Sequence, residues 1–177
     1  MAIQSKEDLE EFYAERDPWR YRSSSDDAMR RARLLSVIPK KQYSRVLEIG
    51  CGDGFVTSQL PGDAVIGVDL SFKAIECARS QADSRTTFRQ MSLFDLPHAG
   101  WHNTFDLIII AGMLYPQYIG EGTRLATVIV DDLLLHGGHL ITAHIFEWYR
   151  LRFPYTTLNR EYYRYREYTH VLEVYQK

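Results

Sequence analysis

Three glycines at alternate positions follow a short apolar run in the stretch RVLEIGCGDGFVTSQL. Gly50, Gly52 and Gly54 would lie at the carboxyl end of a strand, which is the edge of an open parallel sheet where ligands bind. Glycine adopts positive φ easily and lets a ligand approach the backbone closely. The next apolar run, AVIGVD, ends in Asp69, whose carboxylate suits a bidentate hydrogen bond to ribose hydroxyls. The turn and the carboxylate together indicate a nucleoside-bearing ligand.

The spacing of the glycines distinguishes between kinds of nucleoside ligand. A dinucleotide-binding turn has the pattern G-x-G-x-x-G, in which the third glycine brings helix and strand together and the pyrophosphate meets the helix N-terminus. This chain has G-x-G-x-G, with Phe55 where that third glycine would stand. Glu48, beside the turn, would repel a pyrophosphate and attract an ammonium or sulfonium group. The pattern therefore indicates a nucleoside that carries positive charge.

Short apolar runs alternate with helical patterns along the chain, which predicts βαβ units, a parallel sheet and an α/β fold. Strands are predicted over residues 45–50, 64–69, 86–90, 105–111 and 138–146, with two more within 157–176. Helices are predicted over 7–15, 24–38, 55–60, 71–82 and 121–135. In the second and last of these helices, the expected core-facing residues are Met29, Leu34, Leu35, Ile38, Leu125, Val128, Ile129 and Leu133. The basic run MRRARLL is expected on a solvated helix face.

Composition limits the class of protein. The chain has 177 residues, of which 45% are hydrophobic and 25% charged, and a formal net charge of -2. These values predict one globular domain with no general attraction to nucleic acid or acidic membranes. The N-terminal stretch lacks the apolar region of a signal peptide, and the run LIIIAGML is too short to cross a membrane.

His136 and His139 flank the turn HGGH without a carboxylate or cysteine, so we expect a structural turn and no metal. The expected location is cytoplasmic.

Four motifs, in their order and spacing, resemble those of class I S-adenosylmethionine-dependent methyltransferases: VLEIGCGDG, VIGVDLS, FDLIIIAGMLY and LLLHGGHLITAH. The upstream stretch FYAERDPWRYRSSSDDAMRRARLLSVIP is similar to the entry segment of the NodS-like branch, and this resemblance rests mainly on its Asp-Pro-Trp and on MLY at 113–115. The namesake of that branch methylates the deacetylated amino sugar of a chitooligosaccharide. The resemblance implies a Rossmann-like three-layer sandwich with a mostly parallel seven-stranded sheet ending in an antiparallel C-terminal hairpin.

The same resemblance divides the single expected domain, 1–177, into three parts. Residues 1–39 would form a helical segment that covers the cofactor pocket, 40–146 the cofactor-binding core, and 147–177 the C-terminal strands. It also implies S-adenosyl-L-methionine as the cofactor and S-adenosyl-L-homocysteine as the product.

The cofactor contacts implied by the resemblance come from several strand ends and from the N-terminal segment. Residues expected around the methionine moiety are Glu48, Gly50, Cys51, Gly52, Ala111 and Gly112, with Asp69 at the ribose and Leu70, Ser92 and Leu93 near the adenine. Ser92 and Gly112 stand where relatives often carry an acidic residue. Arg22 would pair with the methionine carboxylate and Trp19 would stack on the ligand. The alternative for Trp19 is that it docks the N-terminal helix onto the core.

The candidates for catalysis are Tyr115 and His144, which lie near the ends of the fourth and fifth strands. An amine acceptor needs a free lone pair, whereas a hydroxyl acceptor usually needs a general base. Histidine titrates near neutrality and could take a proton from either acceptor. The alternative for His144 is a buried position within the sheet. Tyr115 is expected to line the methyl-transfer site rather than to act as a base.

The favoured function is N-methylation of a small-molecule acceptor, an amine of an amino sugar or a related metabolite. One alternative is a small-molecule O-methyltransferase, and another, of a different class, is a non-catalytic cofactor-binding partner subunit with the same fold. Arginine and tyrosine alternate in the C-terminal stretch, but aromatic residues favour strands, so we expect sheet rather than a nucleic-acid surface. The oligomeric state stays open.

Overall fold

The computed structural model describes residues 5–14, 24–150 and 152–177, which form a seven-stranded sheet flanked by helices. The strands are β1 (Arg45–Ile49), β2 (Ala64–Asp69), β3 (Thr86–Gln90), β4 (Phe105–Ala111), β5 (Leu134–Ile145), β6 (Thr156–Tyr165) and β7 (Tyr168–Gln176). Their order is β3-β2-β1-β4-β5-β7-β6. The first five strands are parallel, and β7 runs antiparallel to both β5 and β6. The predicted fold class is confirmed.

The α-helices connect and cover these strands. They are α1 (Lys6–Phe12), α2 (Ser25–Ser36), α3 (Phe72–Arg79), α4 (Pro116–Ile119) and α5 (Thr123–Leu133). Two 3₁₀ helices, Thr57–Gln59 and Leu93–Ala99, complete the connections. Within the described ranges, no helix is long and apolar enough to cross a membrane.

The predicted helix over 55–60 is wrong, because only a single 3₁₀ turn forms there. Leu60 has an extended backbone, with φ of -66° and ψ of 142°. It precedes Pro61, and a residue before proline is driven out of the helical region by a steric clash with the proline ring. The connection from β1 to β2 is therefore mostly an irregular turn, which leaves backbone groups at the carboxyl end of β1 accessible.

Apolar side chains form a core on each face of the sheet. Along β1, Val46 packs into the core on one face, with Leu34 of α2 and with Ile38, which follows that helix. Leu47 packs into the core on the other face, with Ile129 and other residues of α5. Strands covered on both faces are almost continuously apolar, which explains the run LIIIA in β4.

Leu34, Ile38, Ile129 and Leu133 are buried as predicted, but three other residues expected to face the core are exposed. Met29 of α2 is 63% exposed, and Leu125 and Val128 of α5 are 52% and 64% exposed. The buried residues of α5 are Ala126, Ile129, Val130 and Leu133, which follow an i, i+3, i+4, i+7 stripe. Leu125 and Val128 lie beside that stripe rather than on it.

Asp27 determines the orientation of α2. Its carboxylate is fully buried and accepts hydrogen bonds from the hydroxyl of Tyr165 and, at 3.3 Å, from the guanidinium of Arg166. Both partners lie at the turn between β6 and β7. Arg30, one helical turn further along α2, lies 3.6 Å from the same carboxylate. Asp27 thus lies on the face of α2 that packs against the protein, and Met29 lies on a different, solvent-exposed face.

Candidate functional site

A cavity opens at the carboxyl ends of β1, β2 and β4. Ten of the residues predicted to contact a cofactor line it: Glu48, Gly50, Cys51, Gly52, Asp69, Leu70, Ser92, Leu93, Ala111 and Gly112. Trp19 and Arg22, the other two, lie outside the described residues. The lining also contains residues that the sequence analysis did not assign: Leu9, Tyr13, Arg30, Ile49, Asp53, Phe55, Val56, Met91, Phe94, Met113, Tyr118 and Ile119.

The turn after β1 requires glycine both because its backbone has positive φ and because neighbouring side chains leave no room for a Cβ. Gly50 has φ of 76° and Gly52 has φ of 53°, which residues with a side chain rarely adopt. A Cβ on Gly50 would come within 2.9 Å of Cγ of Met113, and a Cβ on Gly52 would come within 3.0 Å of the hydroxyl of Tyr13. The backbone at the turn is therefore closely approached by side chains from two other elements.

Asp69 lies at the end of β2 with its carboxylate held by backbone amides. The N–H of Gly52 donates to Oδ2 at 2.8 Å, and the N–H of Ser71 donates to Oδ1 at 2.9 Å. Burial raises the pKa of this carboxyl, and the backbone hydrogen bonds oppose the increase. The side chain is thus fixed in orientation before any ligand arrives, with both oxygens at the edge of the cavity.

Glu48 supplies a second, more deeply buried carboxyl group to the cavity. It is 2% exposed, and the hydroxyl of Thr57 donates a hydrogen bond to its Oε2. Burial raises the pKa of Glu48 to about 8, although Thr57 and the charge of Arg30 act to lower it and the charges of Asp69 and Asp53 act to raise it. A cationic ligand beside this buried carboxyl would stabilise its ionised form and lower its pKa.

The neighbouring Cys51 provides no nucleophile. Burial raises the pKa of its thiol well above the ordinary value, and the charges of Asp69 and Glu48 raise it further. Since the thiolate rather than the thiol is the nucleophile, Cys51 contributes a small apolar wall.

The opposite end of the cavity is mostly apolar. Leu70, Met91 and Leu93 line it together with Ser92. The Ser92 hydroxyl accepts a hydrogen bond from the N–H of Phe94, and Asp95 accepts one from the N–H of Ser92, so the two side chains form a capping box. The hydroxyl proton of Ser92 is still available to a ligand. Apolar walls with one polar group suit a planar heterocycle such as adenine.

Gly112 leaves space where β4 ends. It has φ of 74°, and a Cβ placed on it would meet nothing within 4 Å. Its N–H donates to the carbonyl of Ala143 at 2.8 Å, so its carbonyl is the backbone group on offer to a ligand. A side chain or ligand group next to Gly112 would therefore have open space beside the backbone.

Helix α1 closes one side of the cavity because Glu10 caps another helix. The Glu10 carboxylate accepts hydrogen bonds from the N–H groups of Phe72, at 2.5 Å, and Lys73, at 3.1 Å, at the start of α3. A carboxylate at a helix N-terminus is stabilised by the unpaired amides and the helix dipole. This contact holds α1 so that Leu9 and Tyr13 face the cavity.

The basic run in α2 is only partly solvated: Arg33 is exposed as predicted, whereas Arg30 and Arg31 are half-buried, contrary to prediction. Arg30 lines the cavity. Arg31 donates to the carbonyl of Phe55 at 3.0 Å, and its guanidinium lies 3.9 Å from the centroid of the Phe55 ring. Arg33 lies 4.8 Å from the centroid of the Tyr163 ring. The sequence analysis did not predict that Asp27 is buried. Because Asp27 faces the protein, Arg30, one helical turn later, also faces it and reaches the cavity.

Neither candidate for catalysis belongs to the cavity lining. The Tyr115 hydroxyl accepts the N–H of Ile145 at 2.8 Å, and the side chain is 5% exposed. His144 is 2% exposed, with its ring edge-on to Tyr149 at a centroid distance of 4.7 Å. Burial lowers the pKa of His144 to about 4, which makes it a weak base at neutral pH. The geometry therefore favours the alternative of a buried histidine within the sheet.

We expect the variant His144→Ala to be less stable but catalytically intact. Removing a buried ring leaves a cavity, which should lower the free energy of unfolding by about 2–3 kcal/mol. A general base contributes roughly a hundredfold or more to turnover, so turnover within about twofold of the wild type would exclude that role. The measurements are denaturant unfolding and initial rates at a temperature where both proteins are folded. A loss of turnover of tenfold or more at unchanged cofactor affinity would restore His144 as a base.

The fold and the cavity together define a class of protein. A parallel sheet with an antiparallel C-terminal pair, a glycine turn after β1 and a carboxylate at the end of β2 are the features of the class I methyltransferase fold. Residues 40–167 match the family described as Methyltransferase domain. The chain belongs to this family, and the resemblance to class I S-adenosylmethionine-dependent methyltransferases is confirmed.

Several individual proteins are similar to the chain. Nodulation protein S of Rhizobium tropici is 27% identical over 130 residues, which cover 71% of this chain and 53% of that protein. The malonyl-[acyl-carrier protein] O-methyltransferase of Magnetococcus marinus is 32% identical over 94 residues, covering 51% of this chain and 34% of that protein. The chain thus spans about half, or less, of the length of these curated relatives.

Among solved structures, the N-methyltransferase NodS of Bradyrhizobium japonicum WM9 in complex with S-adenosyl-L-homocysteine superimposes with a TM-score of 0.83. The two chains are 22% identical, and the alignment covers 98% of each. The NodS-like character inferred from the N-terminal stretch is confirmed at the level of fold.

Proposed function

We propose that the protein is an S-adenosylmethionine-dependent N-methyltransferase that acts on the amine of an amino sugar or a related small metabolite. The observation that carries the proposal is the cavity itself, which joins the ionisable Glu48, the preoriented Asp69 and the apolar wall around Leu93. These groups match, in order, a positively charged methionine moiety, a ribose and an adenine. The structural similarity to an N-methyltransferase over nearly the whole chain supports the same assignment.

When bound, S-adenosylmethionine supplies a methyl group that is already activated on a sulfonium, so the protein mainly positions the acceptor and excludes water. Asp69 orients the nucleoside half through its fixed oxygens. Glu48 balances positive charge at the other half, and Arg30, beside it, is placed to pair with a carboxylate. Tyr13 and Leu9 of α1 shield the pocket from solvent.

An amine is favoured over a hydroxyl as the acceptor. Among the described residues that line the cavity, there is no histidine, and we assign the carboxylates of Asp69 and Glu48 to the ribose and to the positive charge of the cofactor. A hydroxyl acceptor usually needs a general base, whereas an amine that has lost its proton to solvent attacks directly. The similarity to an O-methyltransferase keeps O-methylation as the second candidate.

The test begins with calorimetric titration of S-adenosylmethionine and S-adenosylhomocysteine, with NAD as the control ligand. We expect micromolar binding of the first two and none of NAD. Incubation with S-adenosylmethionine and glucosamine oligomers should then add one methyl group to an amine, detected by mass spectrometry. Methylation of a hydroxyl instead would support the second candidate. Cofactor binding with no turnover of any acceptor unless a partner chain is added would support the partner-subunit alternative.

A further inference from the structure

Arg30 is held at the cofactor cavity by a carboxylate that lies outside the cavity lining. The side chain of Arg30 is 12% exposed, and its Nε lies 3.6 Å from Oδ1 of Asp27. Arg30 lines the cavity, whereas Asp27 is fully buried and is not among the lining residues. A free arginine side chain samples many rotamers. The ion pair with a buried carboxylate therefore restricts the directions that the guanidinium can take.

Asp27 is itself held by the turn between β6 and β7. The hydroxyl of Tyr165 donates to Oδ1 of Asp27, and the guanidinium of Arg166 donates to Oδ2 at 3.3 Å. Each carboxylate oxygen thus has a partner in the turn. A buried carboxylate is stable only where charges and hydrogen bonds compensate its lost hydration. The turn therefore fixes the place of Asp27, and Asp27 fixes that of Arg30.

The ring of Tyr165 also contacts both arginines. The guanidinium carbon of Arg30 lies 5.5 Å from the ring centroid, and that of Arg166 lies 5.2 Å from it. Such cation–π contacts favour particular positions of the guanidinium over the ring. Burial raises the pKa of Tyr165, and the hydrogen bond to Asp27 raises it further. The hydroxyl therefore remains a donor well into the alkaline range.

The backbone of Arg166 has a conformation that favours glycine. Its φ is 52°, in the left-handed region, which is unfavourable for a residue with a side chain. An arginine nevertheless occupies this position of the turn, and its guanidinium donates to Asp27. The contact with the buried carboxylate gives a reason for arginine, rather than glycine, at this position.

Arg30 and Glu48 place opposite charges at the same end of the cavity. Burial raises the pKa of Glu48, and the charge of Arg30 opposes the increase, so the two side chains are close to each other. An α-amino acid carries an ammonium and a carboxylate on one carbon. A carboxylate and a guanidinium side by side complement both groups. The methionine moiety of the cofactor has this pair of charges.

We propose that Asp27, Tyr165 and Arg166 are positioning residues for binding of the cofactor, an inference that rests on the proposed function. They hold the guanidinium of Arg30 in the direction of the carboxylate of the methionine moiety, which Arg30 binds. None of the three lines the cavity. They orient Arg30 before the cofactor arrives, so less side-chain freedom is lost on binding. The turn between β6 and β7 thus contributes to cofactor affinity from outside the cavity.

The experiment compares two ligands that differ by one group, S-adenosylmethionine and decarboxylated S-adenosylmethionine, which keeps the nucleoside, the sulfonium and the amine. Tyr165→Phe removes a hydroxyl and leaves the ring in place. We expect this variant to bind S-adenosylmethionine about tenfold more weakly than the wild type, because hydrogen bonds to charged groups are worth at least that factor. Its affinity for the decarboxylated ligand should stay within about twofold. Asp27→Asn should show the same difference between ligands, and calorimetric titration measures both affinities.

Tyr155→Phe is the matched control. The hydroxyl of Tyr155 donates to Oδ1 of Asp131 at 2.9 Å, so the substitution removes the same kind of hydrogen bond. Neither Tyr155 nor Asp131 lines the cavity, and both ligands should bind this variant as they bind the wild type.

A double-mutant cycle tests whether the effect passes through Arg30. Arg30→Gln removes the guanidinium and should by itself weaken S-adenosylmethionine more than the decarboxylated ligand. In the Arg30→Gln background, Tyr165→Phe should cause no further loss, since residues that act through one group are not additive.

The outcomes separate the two proposals. Unchanged affinity of Tyr165→Phe for S-adenosylmethionine, or equal weakening of both ligands, overturns the positioning role and leaves the N-methyltransferase proposal in place. A loss that persists undiminished in the Arg30→Gln background also overturns it. The expected difference between the ligands, together with methylation of a hydroxyl rather than an amine, supports the positioning role and overturns N-methylation. If neither ligand binds the wild type, both proposals are overturned.

Discussion

We expect Asp69→Ala to lower the affinity for S-adenosylmethionine and S-adenosylhomocysteine by about a hundredfold while the chain remains folded. Its carboxylate oxygens are fixed by Gly52 and Ser71 and still have free lone pairs at the cavity. A hydrogen bond to a charged group contributes roughly 1.5–3 kcal/mol, and two such bonds to a ribose account for a hundredfold or more. Calorimetric titration at fixed pH and salt measures the loss.

A matched control separates this effect from damage to the fold. The carboxylate of Asp106 also accepts two backbone N–H groups, from Ser44 at 2.7 Å and Arg45 at 3.1 Å. These bonds lie at the amino end of β1, on the opposite edge of the sheet from the cavity. Asp106→Ala should therefore lose comparable backbone hydrogen bonds and keep its cofactor affinity. If affinity survives unchanged in Asp69→Ala, the ribose assignment is wrong; if both variants lose it equally, the loss reflects destabilisation.

The parts of the site that the sequence predicted are those fixed by local pattern. The glycine turn and the carboxylate at the end of the next strand can each be recognised from a few consecutive residues. Parallel strands then bring these two features together, because their carboxyl ends lie at one edge of the sheet. Gly50 and Asp69 were therefore predictable as neighbours before any side chain was placed. The order of apolar strands was sufficient for the centre of the sheet, because β1, β2 and β4 are buried on both faces.

The parts that were not predictable depend on contacts between distant segments. Glu10 caps a helix that begins more than sixty positions later, and nothing in the pattern of α1 identifies that partner. Arg30 reaches the cavity because Asp27 is bound by Tyr165 and Arg166, which lie near the other end of the chain. Met29 of α2 and Leu125 and Val128 of α5 were wrongly assigned to the core for a related reason: two overlapping apolar stripes exist on each helix, and only packing selects one.

Glu48 carries the second large effect, a release of protons when the cofactor binds. With a pKa of about 8 in the empty cavity, this carboxyl is roughly nine-tenths protonated at pH 7. A cation in contact lowers the pKa of a carboxyl, so binding ionises part of the Glu48 population and releases about half a proton per molecule. The sign follows directly: affinity increases as pH rises towards 8 and levels off above it. Titrations at pH 7 in buffers of different ionisation enthalpy measure the proton count.

Glu48→Gln isolates the contribution of this group from that of the ligand amine, which titrates near the same pH and affects both proteins alike. The variant should release almost no proton. Its affinity should match that of the wild type within about twofold near pH 6, where Glu48 is mostly protonated with and without the cofactor. Near pH 9, where Glu48 of the wild type is ionised, the affinity of the variant should be about tenfold lower. Curves that stay parallel over this range, with equal proton release, would mean that Glu48 is already ionised in the empty cavity. Arg30, rather than the ligand, would then be the charge that balances it.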